Sequence, residues 1–226
     1  MTAAGINKGV IFDLDGVLVD TGDFHKQSWN DLAEQEGFEH TDDFFYRTFG
    51  MQNYQIIPML AGNDVSAAEI ERLSEWKEQR FRDLITGKLK LLQGVREILD
   101  DLKEKGFLLA VGSSAPKANI DFILEQTKVR EYFKAVVHCG DVSRGKPAPD
   151  TFLKAAEKLG LTPVCCVVVE DAVPGVAAAQ AADMAVVAVT NSRSREELGK
   201  ADIVVNSLAE LSAGDFDKLL KNANGK

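Results

Sequence analysis

Short, nearly continuous apolar runs recur along the chain and predict buried β-strands. They lie at Gly9–Phe12, 107–111, 135–137, 164–169 and Ala185–Val189, with a weaker run at Ile203–Val205. Runs without polar alternation are typical of parallel strands that are covered on both faces. Helical patterns separate them at 95–105, 116–127, Asp150–Leu159 and 174–182. This alternation predicts an α/β fold with a doubly wound, Rossmann-like parallel sheet.

One long segment interrupts the alternation. From about residue 21 to residue 88 the pattern is helical throughout and contains no strand-like run. Because it follows the first predicted strand directly, we interpret it as a small all-helical cap domain inserted after that strand. The predicted domains are an α/β core, residues 1–20 and 89–226, and a helical cap, residues 21–88. The polar tail, residues 221–226, is expected to fray.

The charge balance narrows the range of partners. The chain has 226 residues, with 26 Lys and Arg against 35 Asp and Glu, and a formal net charge of -9. This balance argues against nucleic acid or an anionic membrane as the main partner, although one bound divalent cation could still create a local anion site. No apolar run approaches the ~20 residues of a membrane helix, and no signal-peptide core precedes the first strand. We therefore expect a cytoplasmic protein. We also expect a monomer.

The cysteines suggest no redox or metal chemistry. Cys165 and Cys166 are adjacent in an apolar run, so on a strand they would point to opposite faces and could hardly bridge each other. Cys139 makes the number odd. We expect buried thiols without disulfides, as is usual in a reducing cytosol.

Candidate chemistry lies at the ends of the predicted strands, where doubly wound sheets bind ligands. The first strand is followed by Asp13 and Asp15, whose carboxylates share a face of an extended backbone because they are two residues apart. Gly16 then permits a sharp turn close to a ligand. The groups after the later strands are Ser113 and Ser114, Lys146 in a GKPAPD segment, and Glu170 with Asp171. Four strand ends thus offer carboxylates, hydroxyls and one lysine.

These groups suit phosphoryl transfer. Clustered carboxylates repel each other unless a cation lies among them, and Mg²⁺ prefers such oxygen ligands. The metal would hold one phosphate oxygen, Lys146 a second and Ser113 a third. One carboxylate could attack phosphorus while an acid two residues later protonates the leaving oxygen. A single acid after a strand, such as Asp141 or Asp150, more often caps a helix or a turn, so it is the coincidence of four strand ends that favours a site.

The motifs around these residues resemble the four signature motifs of the haloacid dehalogenase superfamily. They are DLDGVLVDT from Asp13, Ser113, GKPAPD around Lys146, and the pair Glu170 and Asp171. They occur in the family's order and span about residues 8–190. The resemblance implies an aspartyl-phosphate intermediate on Asp13 and acid–base catalysis by Asp15.

The resemblance also implies a magnesium site and phosphoryl contacts. The metal ligands would be the Asp13 side chain, the backbone carbonyl of Asp15, Asp171 and, as a further candidate, Glu170. The groups expected to steady the phosphoryl group or contact substrate are Ser113, Lys146 and Ser114. The substrate would be a small phosphorylated metabolite.

The helical insertion resembles the small cap of the β-phosphoglucomutase and phosphoglycolate phosphatase branch, in which the cap selects the substrate. The candidate substrate contacts in it are Thr21, His25, Trp29, Gly50, Gln52, Asn53 and Lys77. His25 and Trp29 lie one turn apart on the first cap helix, and β-phosphoglucomutases carry His and Trp at matching offsets. For His25 alone, a solvated or internally satisfied histidine is the alternative.

Lys77 falls within an apolar stripe at helical spacing. The stripe consists of Ile70, Leu73, Phe81 and Leu84. A lysine in such a stripe either extends to solvent along its apolar stem or points inward to meet an anion. The resemblance favours the second interpretation, because a cap lysine at the matching place contacts substrate in the mutases.

One departure from the mutase pattern bears on function. The β-phosphoglucomutase cap has a lysine and an arginine flanking a glycine, and these grip the second phosphate of a bisphosphate intermediate. Here Phe49 and Asn53 flank Gly50 instead. We therefore expect a Mg²⁺-dependent phosphohydrolase acting on a small sugar- or polyol-phosphate. A β-phosphoglucomutase-like isomerase is the alternative; a non-catalytic regulatory member is disfavoured by the intact acid pair, and a dehalogenase has no need of a metal or of Asp15.

Overall fold

The computed structural model describes residues 8–223 of the chain. These residues form two compact units. The core unit comprises residues 8–20 and 90–223, and the cap unit is Thr21–Leu89. Leu89, which the sequence pattern placed in the core, belongs to the cap.

A six-stranded parallel sheet forms the centre of the core unit. Its strands are β1 (Gly9–Phe12), β2 (Leu108–Gly112), β3 (Phe133–Val137), β4 (Cys166–Glu170), β5 (Ala185–Val189) and β6 (Ile203–Val205). Their order across the sheet is β3-β2-β1-β4-β5-β6, and every neighbouring pair is parallel. The predicted doubly wound parallel sheet is confirmed.

The helices divide between the units. The cap unit contains α1 (Gly22–Glu36), α2 (Asp42–Thr48), α3 (Asn53–Ala61) and α4 (Ala67–Ile85). The core unit contains α5 (Val95–Glu104), α6 (Lys117–Gln126), α7 (Asp150–Leu159), α8 (Val173–Ala181) and α9 (Ala213–Ala223). None of the described helices is both long and apolar enough to cross a membrane.

Helices cover both faces of the sheet, which is why its strands are apolar without alternation. On one face, Ile11 and Val168 pack with Phe152 of α7 and Val176 of α8 in a single buried cluster. The residues that alternate with Ile11 along β1 and with Val168 along β4 are buried as well. They belong to the opposite face, because successive side chains on a strand alternate. The helix α9 contacts β4 and β5 outside the first cluster.

The switch point of the sheet positions the site. From β1 the chain builds outward through β2 and β3, whereas β4, β5 and β6 extend in the other direction. The carboxyl ends of β1 and β4 therefore lie side by side at the centre, where the connecting loops diverge. Doubly wound sheets bind ligands at this point.

Three details differ from the sequence predictions. Residues 164 and 165 are not in a strand: Pro163–Cys165 forms a 3₁₀ turn, and pairing with β1 begins at Cys166. The helix α9 was not predicted, although Phe216 and Leu220 form its buried stripe. Residues 221–223, expected to fray, continue this helix, and residues 224–226 lie outside the described part.

No disulfide joins the cysteines. Cys166 is buried, and burial raises the pKa of its thiol to about 12. Cys139 and Cys165 are only half-buried, so the expectation of burial was wrong for these two. Both lie in 3₁₀ turns beside a strand rather than within the sheet.

Candidate active site

The first turn after β1 places two predicted carboxylates. Asp13 is buried, and its N–H donates to the carbonyl of Val169 (2.9 Å), which extends the pairing of β1 with β4 by one step. Asp15 is half-buried and forms an isolated bridge with Val19. The turn that follows Asp15 is closed by the N–H of Gly16, which donates to the Val19 carbonyl (2.8 Å).

Two glycines leave room for the two acids at the carboxyl end of β4. A Cβ on Gly16 would lie 1.9 Å from Asp171 Oδ2, and its φ of +78° is one that L side chains rarely adopt. A Cβ on Gly175, in the first turn of α8, would lie 1.8 Å from Glu170 Oε1. Both positions require glycine because the carboxylates occupy the space that a side chain would need.

Lys146 joins the acids of the two central strands. Its Nζ donates to Asp13 Oδ1 (2.6 Å) and to Glu170 Oε1 (2.5 Å), and all three side chains are buried. It also lies 4.8 Å from the centroid of the Phe152 ring, which forms an apolar wall beside the ammonium. Asp13 and Lys146, which are 133 positions apart in the sequence, therefore lie in contact, as the strand-end pattern predicted.

Glu170 and Asp171 differ in their remaining contacts. Glu170 Oε2 accepts the backbone N–H groups of Asp171 (2.9 Å) and Ala172 (3.0 Å), so both of its oxygens are engaged within the protein. Asp171 Oδ2 is buried and has no hydrogen-bond partner among the described residues. A buried carboxylate oxygen in that state is costly unless a cation or a donor meets it.

The three carboxylates fit a divalent cation. Asp13, Glu170 and Asp171 can each offer one oxygen so that the three atoms lie within 4.8 Å of one another. Three carboxylates and the one ammonium of Lys146 carry a formal charge of −2, which a divalent cation cancels. Because Glu170 is fully engaged, Asp13 and Asp171 are the side chains better placed to ligate. The unpartnered Asp171 Oδ2 is the observation that supports this fit.

The pKa values of the buried groups reflect the same excess of negative charge. Burial raises the pKa of Asp13 to about 7, against the opposing effect of Lys146. Burial and the neighbouring carboxylate of Glu170 raise the pKa of Asp171 well above its usual range. Burial opposes the charged form of Lys146, but the two acids beside it outweigh burial and raise its pKa. Lys146 therefore stays protonated, whereas the acids have too little positive charge beside them to stabilise all of their ionised forms.

The hydroxyl residues follow β2 as predicted. Ser113 is buried, its N–H donates to the Val137 carbonyl (3.1 Å), and its Oγ accepts the N–H of Ala115 (3.0 Å). Since that contact uses a lone pair, the Ser113 hydroxyl hydrogen remains available as a donor. Ser114 Oγ is buried and has no hydrogen-bond partner within residues 8–223.

Two other acids near strand ends pair with groups of the protein itself. This agrees with the structural role that is usual for a single acid after a strand. Asp141 accepts the N–H of His138 (3.1 Å) and pairs with Lys158 (2.9 Å). Asp150 pairs with Arg144 through both carboxylate oxygens.

In the cap unit, four polar side chains from three helices form a cluster that we call the cap cluster: His25, Asn53, Lys77 and Glu78. Lys77 Nζ lies 2.8 Å from His25 Nδ1 and 3.0 Å from Glu78 Oε1. Asn53 Nδ2 donates to the same Glu78 oxygen (2.8 Å). Lys77 thus neither extends to solvent nor lacks a counter-ion, because its anion lies within the cap.

Aromatic rings enclose the cap cluster. Lys77 Nζ lies 5.1 Å from the centroid of the Trp29 ring and 5.4 Å from that of Phe81. The His25 ring stacks on Phe81 with centroids 3.8 Å apart. Trp29 is itself buried in the apolar core of the cap. Its contact with Lys77 is through its ring face, which attracts a cation.

Two more of the residues singled out in the cap contact His25 of this cluster: the Thr21 carbonyl accepts the His25 N–H (2.9 Å), and the rings of Phe49 and His25 lie edge to face with centroids 6.3 Å apart. Thr21 is buried at the start of α1, and Gly50 is exposed with a φ of +90°. Gln52 directly precedes α3; its backbone N–H donates to Gln55 Oε1 (3.2 Å), and its buried side-chain Nε2 has no hydrogen-bond partner among the described residues. Phe49 packs against the cap core, 5.2 Å from Phe45 between ring centroids.

Glu78 was missed by the sequence reasoning. Residues adjacent in a helix do not normally face each other, so the neighbouring Lys77 and Glu78 gave no reason to expect an ion pair. The signal was the position of Glu78 beside an apolar stripe, where an acid is rarely buried without a partner.

A family model for haloacid dehalogenase-like hydrolases matches residues 10–189, and the chain belongs to this family. Membership confirms the family resemblance read from the motifs. The predicted enzyme class, a haloacid dehalogenase-type phosphatase with a phosphomutase as the alternative, is confirmed too, since the relatives include proteins named as phosphatases and as phosphomutases.

Three relatives illustrate the range of the family. The chain is 33% identical over 213 residues to the chloroplastic 5-amino-6-(5-phospho-D-ribitylamino)uracil phosphatase of Arabidopsis thaliana, covering 93% of this chain and 57% of that protein. It is 33% identical to the β-phosphoglucomutase of Bacillus subtilis, over 91% of this chain and 92% of that one. The crystal structure of β-phosphoglucomutase from Clostridium difficile superimposes with a TM-score of 0.87 at 27% identity, covering 98% of this chain and 100% of that one.

Proposed function

We propose that this protein hydrolyses phosphate monoesters, with Asp13 as the nucleophile and Asp15 as the general acid and base. The observation that carries the proposal is the buried cluster at the switch point, whose three carboxylates exceed its one lysine and include an unpartnered oxygen of Asp171. A structural ion-pair network would be expected to balance its charges. An excess of buried negative charge fits a site that awaits a cation and a phosphate.

The reaction follows from these roles. A carboxylate oxygen of Asp13 attacks phosphorus and forms an acyl-phosphate bond while the bond from phosphorus to the leaving oxygen breaks. Asp15 gives its proton to that oxygen. Water then attacks the phosphorus of the aspartyl phosphate, Asp15 takes up the water's proton, and phosphate and the Asp13 carboxylate are released.

Lys146 and Ser113 hold the phosphoryl oxygens. The ammonium of Lys146 already lies against Asp13, so it can stabilise negative charge on a phosphoryl group attached there. Glu170 anchors Lys146 from the opposite side. The Ser113 hydroxyl supplies a second donor, and the neighbouring Ser114 is a further candidate contact.

Asp13 and Asp171 would hold Mg²⁺, together with the backbone carbonyl of Asp15, and Glu170 would support them through Lys146 and the loop. When bound, the metal supplies positive charge that orients the phosphate and offsets its repulsion from the acids.

We propose a small sugar- or polyol-phosphate as the substrate class and the cap as the unit that selects it. Two relatives support this class by name, one a phosphatase of a phosphoribityl compound and the other a phosphoglucomutase. Hydrolysis is favoured over isomerisation because Phe49 and Asn53 stand where the mutase pattern is basic. A mutase must also hold its intermediate through two orientations, which needs cations that these positions lack.

The test is a phosphate-release screen over sugar and polyol monophosphates with Mg²⁺. In parallel, β-glucose 1-phosphate is assayed with a bisphosphate primer for both phosphate and glucose 6-phosphate. We expect more phosphate than glucose 6-phosphate. A ratio well below one would favour the mutase, and no turnover of any ester would contradict the proposal.

A further inference from the structure

The charge of the buried cap lysine, Lys77, is neutralised by a carboxylate of the cap unit itself, that of Glu78. Lys77 and Glu78 are 2% and 6% exposed, so little solvent screens their interaction. The contact between Lys77 Nζ and Glu78 Oε1 measures 3.0 Å. A phosphate that approached this lysine would compete with a carboxylate already in place.

Glu78 organises the cap cluster. Its Oε1 accepts from Lys77 on the same helix and from Asn53 at the start of α3. Burial alone would raise the pKa of Glu78, but Lys77 and the other neighbours lower it to about 2. The carboxylate is therefore ionised at every pH at which the protein would be assayed.

The orientation of His25 follows from Lys77. An ammonium has donors but no lone pair, so in the 2.8 Å contact His25 Nδ1 is the acceptor. The proton of the neutral ring then lies on Nε2. The cluster thus contains one positive charge, one negative charge, an amide and an imidazole.

The rest of the cap supplies little positive charge to an anion. The segment 21–89 has seven Lys and Arg against thirteen Asp and Glu, a formal net charge of −6. Four other cap cations pair with carboxylates of the same unit: Lys26, Arg47, Arg72 and Arg80. A second phosphate at the cap would meet a negative potential.

We propose that Glu78 is a specificity-determining residue of this enzyme: by neutralising Lys77 it makes the cap cluster select substrates with an uncharged, hydroxyl-bearing tail and reject those with a second phosphate. The proposal rests on the proposed phosphatase function and deepens it. Hydroxyls can both donate to and accept from such a neutral cluster, whereas a phosphate dianion must displace Glu78 from Lys77 and is repelled by its charge.

The test compares the affinities of glucose 6-phosphate and glucose 1,6-bisphosphate, which differ by one phosphate. Titration calorimetry is done with Mg²⁺ in an Asp13→Asn background, so that neither probe is consumed. Glu78→Gln keeps the shape of the side chain and removes its charge. We expect it to raise the affinity for the bisphosphate relative to the monophosphate by roughly tenfold or more, the size of one charge-assisted hydrogen bond.

Three further variants make the result specific. Glu75→Gln removes an exposed charge from the same helix and should leave the ratio unchanged. Lys77→Gln combined with Glu78→Gln removes both charges and should return the ratio to its starting value. Glu78→Asp keeps the charge but withdraws it from Lys77, and should give an intermediate shift if Glu78→Gln proves too unstable to purify.

An affinity ratio that Glu78→Gln leaves unchanged, or changes no more than Glu75→Gln does, would overturn the proposal. A loss of affinity for both probes in equal measure would also overturn it, because that is the effect of a merely structural residue. The phosphate-release screen judges the proposed function separately, since the binding ratio requires no turnover.

Discussion

The core site and the cap cluster are each built around a buried lysine, and they differ in how that charge is matched. Lys146 contacts Asp13 and Glu170, with Asp171 nearby, so negative charge exceeds positive charge by two. Lys77 contacts Glu78 within a cluster that has one charge of each sign.

The difference separates a site that needs a ligand from one that is complete. In the core, burial raises the pKa of Asp13 and Asp171, so the acids are held in a state that favours binding a proton or a cation. In the cap, the pKa of Glu78 is lowered to about 2, because its charge is already stabilised. Burial of a lysine therefore says little about function until its counter-charges are counted.

The largest expected effect comes from removing the nucleophile. Asp13→Asn should reduce phosphate release below detection, since an amide cannot form the acyl phosphate. The fold should persist, because the change is isosteric and lessens the excess negative charge of the core site. Phosphate release and circular dichroism would be measured together, and substantial turnover in a folded variant would end the covalent-aspartate mechanism.

Asp15→Asn should have a smaller effect. We expect turnover to fall by roughly 10²–10⁴-fold, the usual range for general acid–base catalysis. Stabilisation by Mg²⁺ should survive, because the proposed ligand from this residue is the backbone carbonyl. Unchanged turnover would remove Asp15 from the acid–base role, and loss of the Mg²⁺ effect would show that its side chain supports the metal.

The smallest effect concerns stability and directly tests the charge imbalance. The pKa of Asp13 is about 7 in the folded chain against 3.8 for an ordinary Asp, so its protonated form stabilises the fold below about pH 4 and this contribution is lost as pH rises through about 7. Without metal, the melting temperature should therefore fall between pH 5 and pH 8. Mg²⁺ at 100 times its dissociation constant adds about 2.7 kcal/mol, which raises the melting temperature by roughly 5–10 °C.

The increase caused by Mg²⁺ should be larger at pH 8 than at pH 5.5, because protons compete for the same carboxylates. Asp13→Asn should diminish it, whereas Glu78→Gln should leave it intact. Thermal denaturation with EDTA or Mg²⁺ at the two pH values measures this. An equal increase in Asp13→Asn and in the unaltered chain would place the metal elsewhere.

Much of the core site could be predicted because its evidence is local. Each acid or hydroxyl directly follows an apolar run, and parallel strands bring such positions to one edge of the sheet. The contact of Lys146 with Asp13 follows from the same rule. The finer distinction between Glu170 and Asp171 could not be predicted, because it depends on which carboxylate the backbone N–H groups of the next loop reach.

The cap was less predictable because its polar contacts join different helices. Asn53 was interpreted as a candidate substrate contact that lacks the charge of the mutase residue; the sequence did not indicate that it donates to Glu78, 25 residues away. Lys77 was expected either to reach solvent or to face an external anion; in the structure it is buried and paired with Glu78 of its own helix. Periodicity shows which face of a helix is buried, but it cannot show which side chain on a neighbouring helix meets that face.

The sequence by itself determined the alternation of strands and helices in the core as far as Val205, the family and the acids at the strand ends, because periodic burial and short motifs are local properties of the chain. Only the tertiary structure decided which charges are matched. Whether a buried lysine is cancelled, as Lys77 is by Glu78, or outnumbered, as Lys146 is, depends on distances of a few ångströms between distant segments and on the loss of solvent around them. Those quantities exist only once the chain has folded.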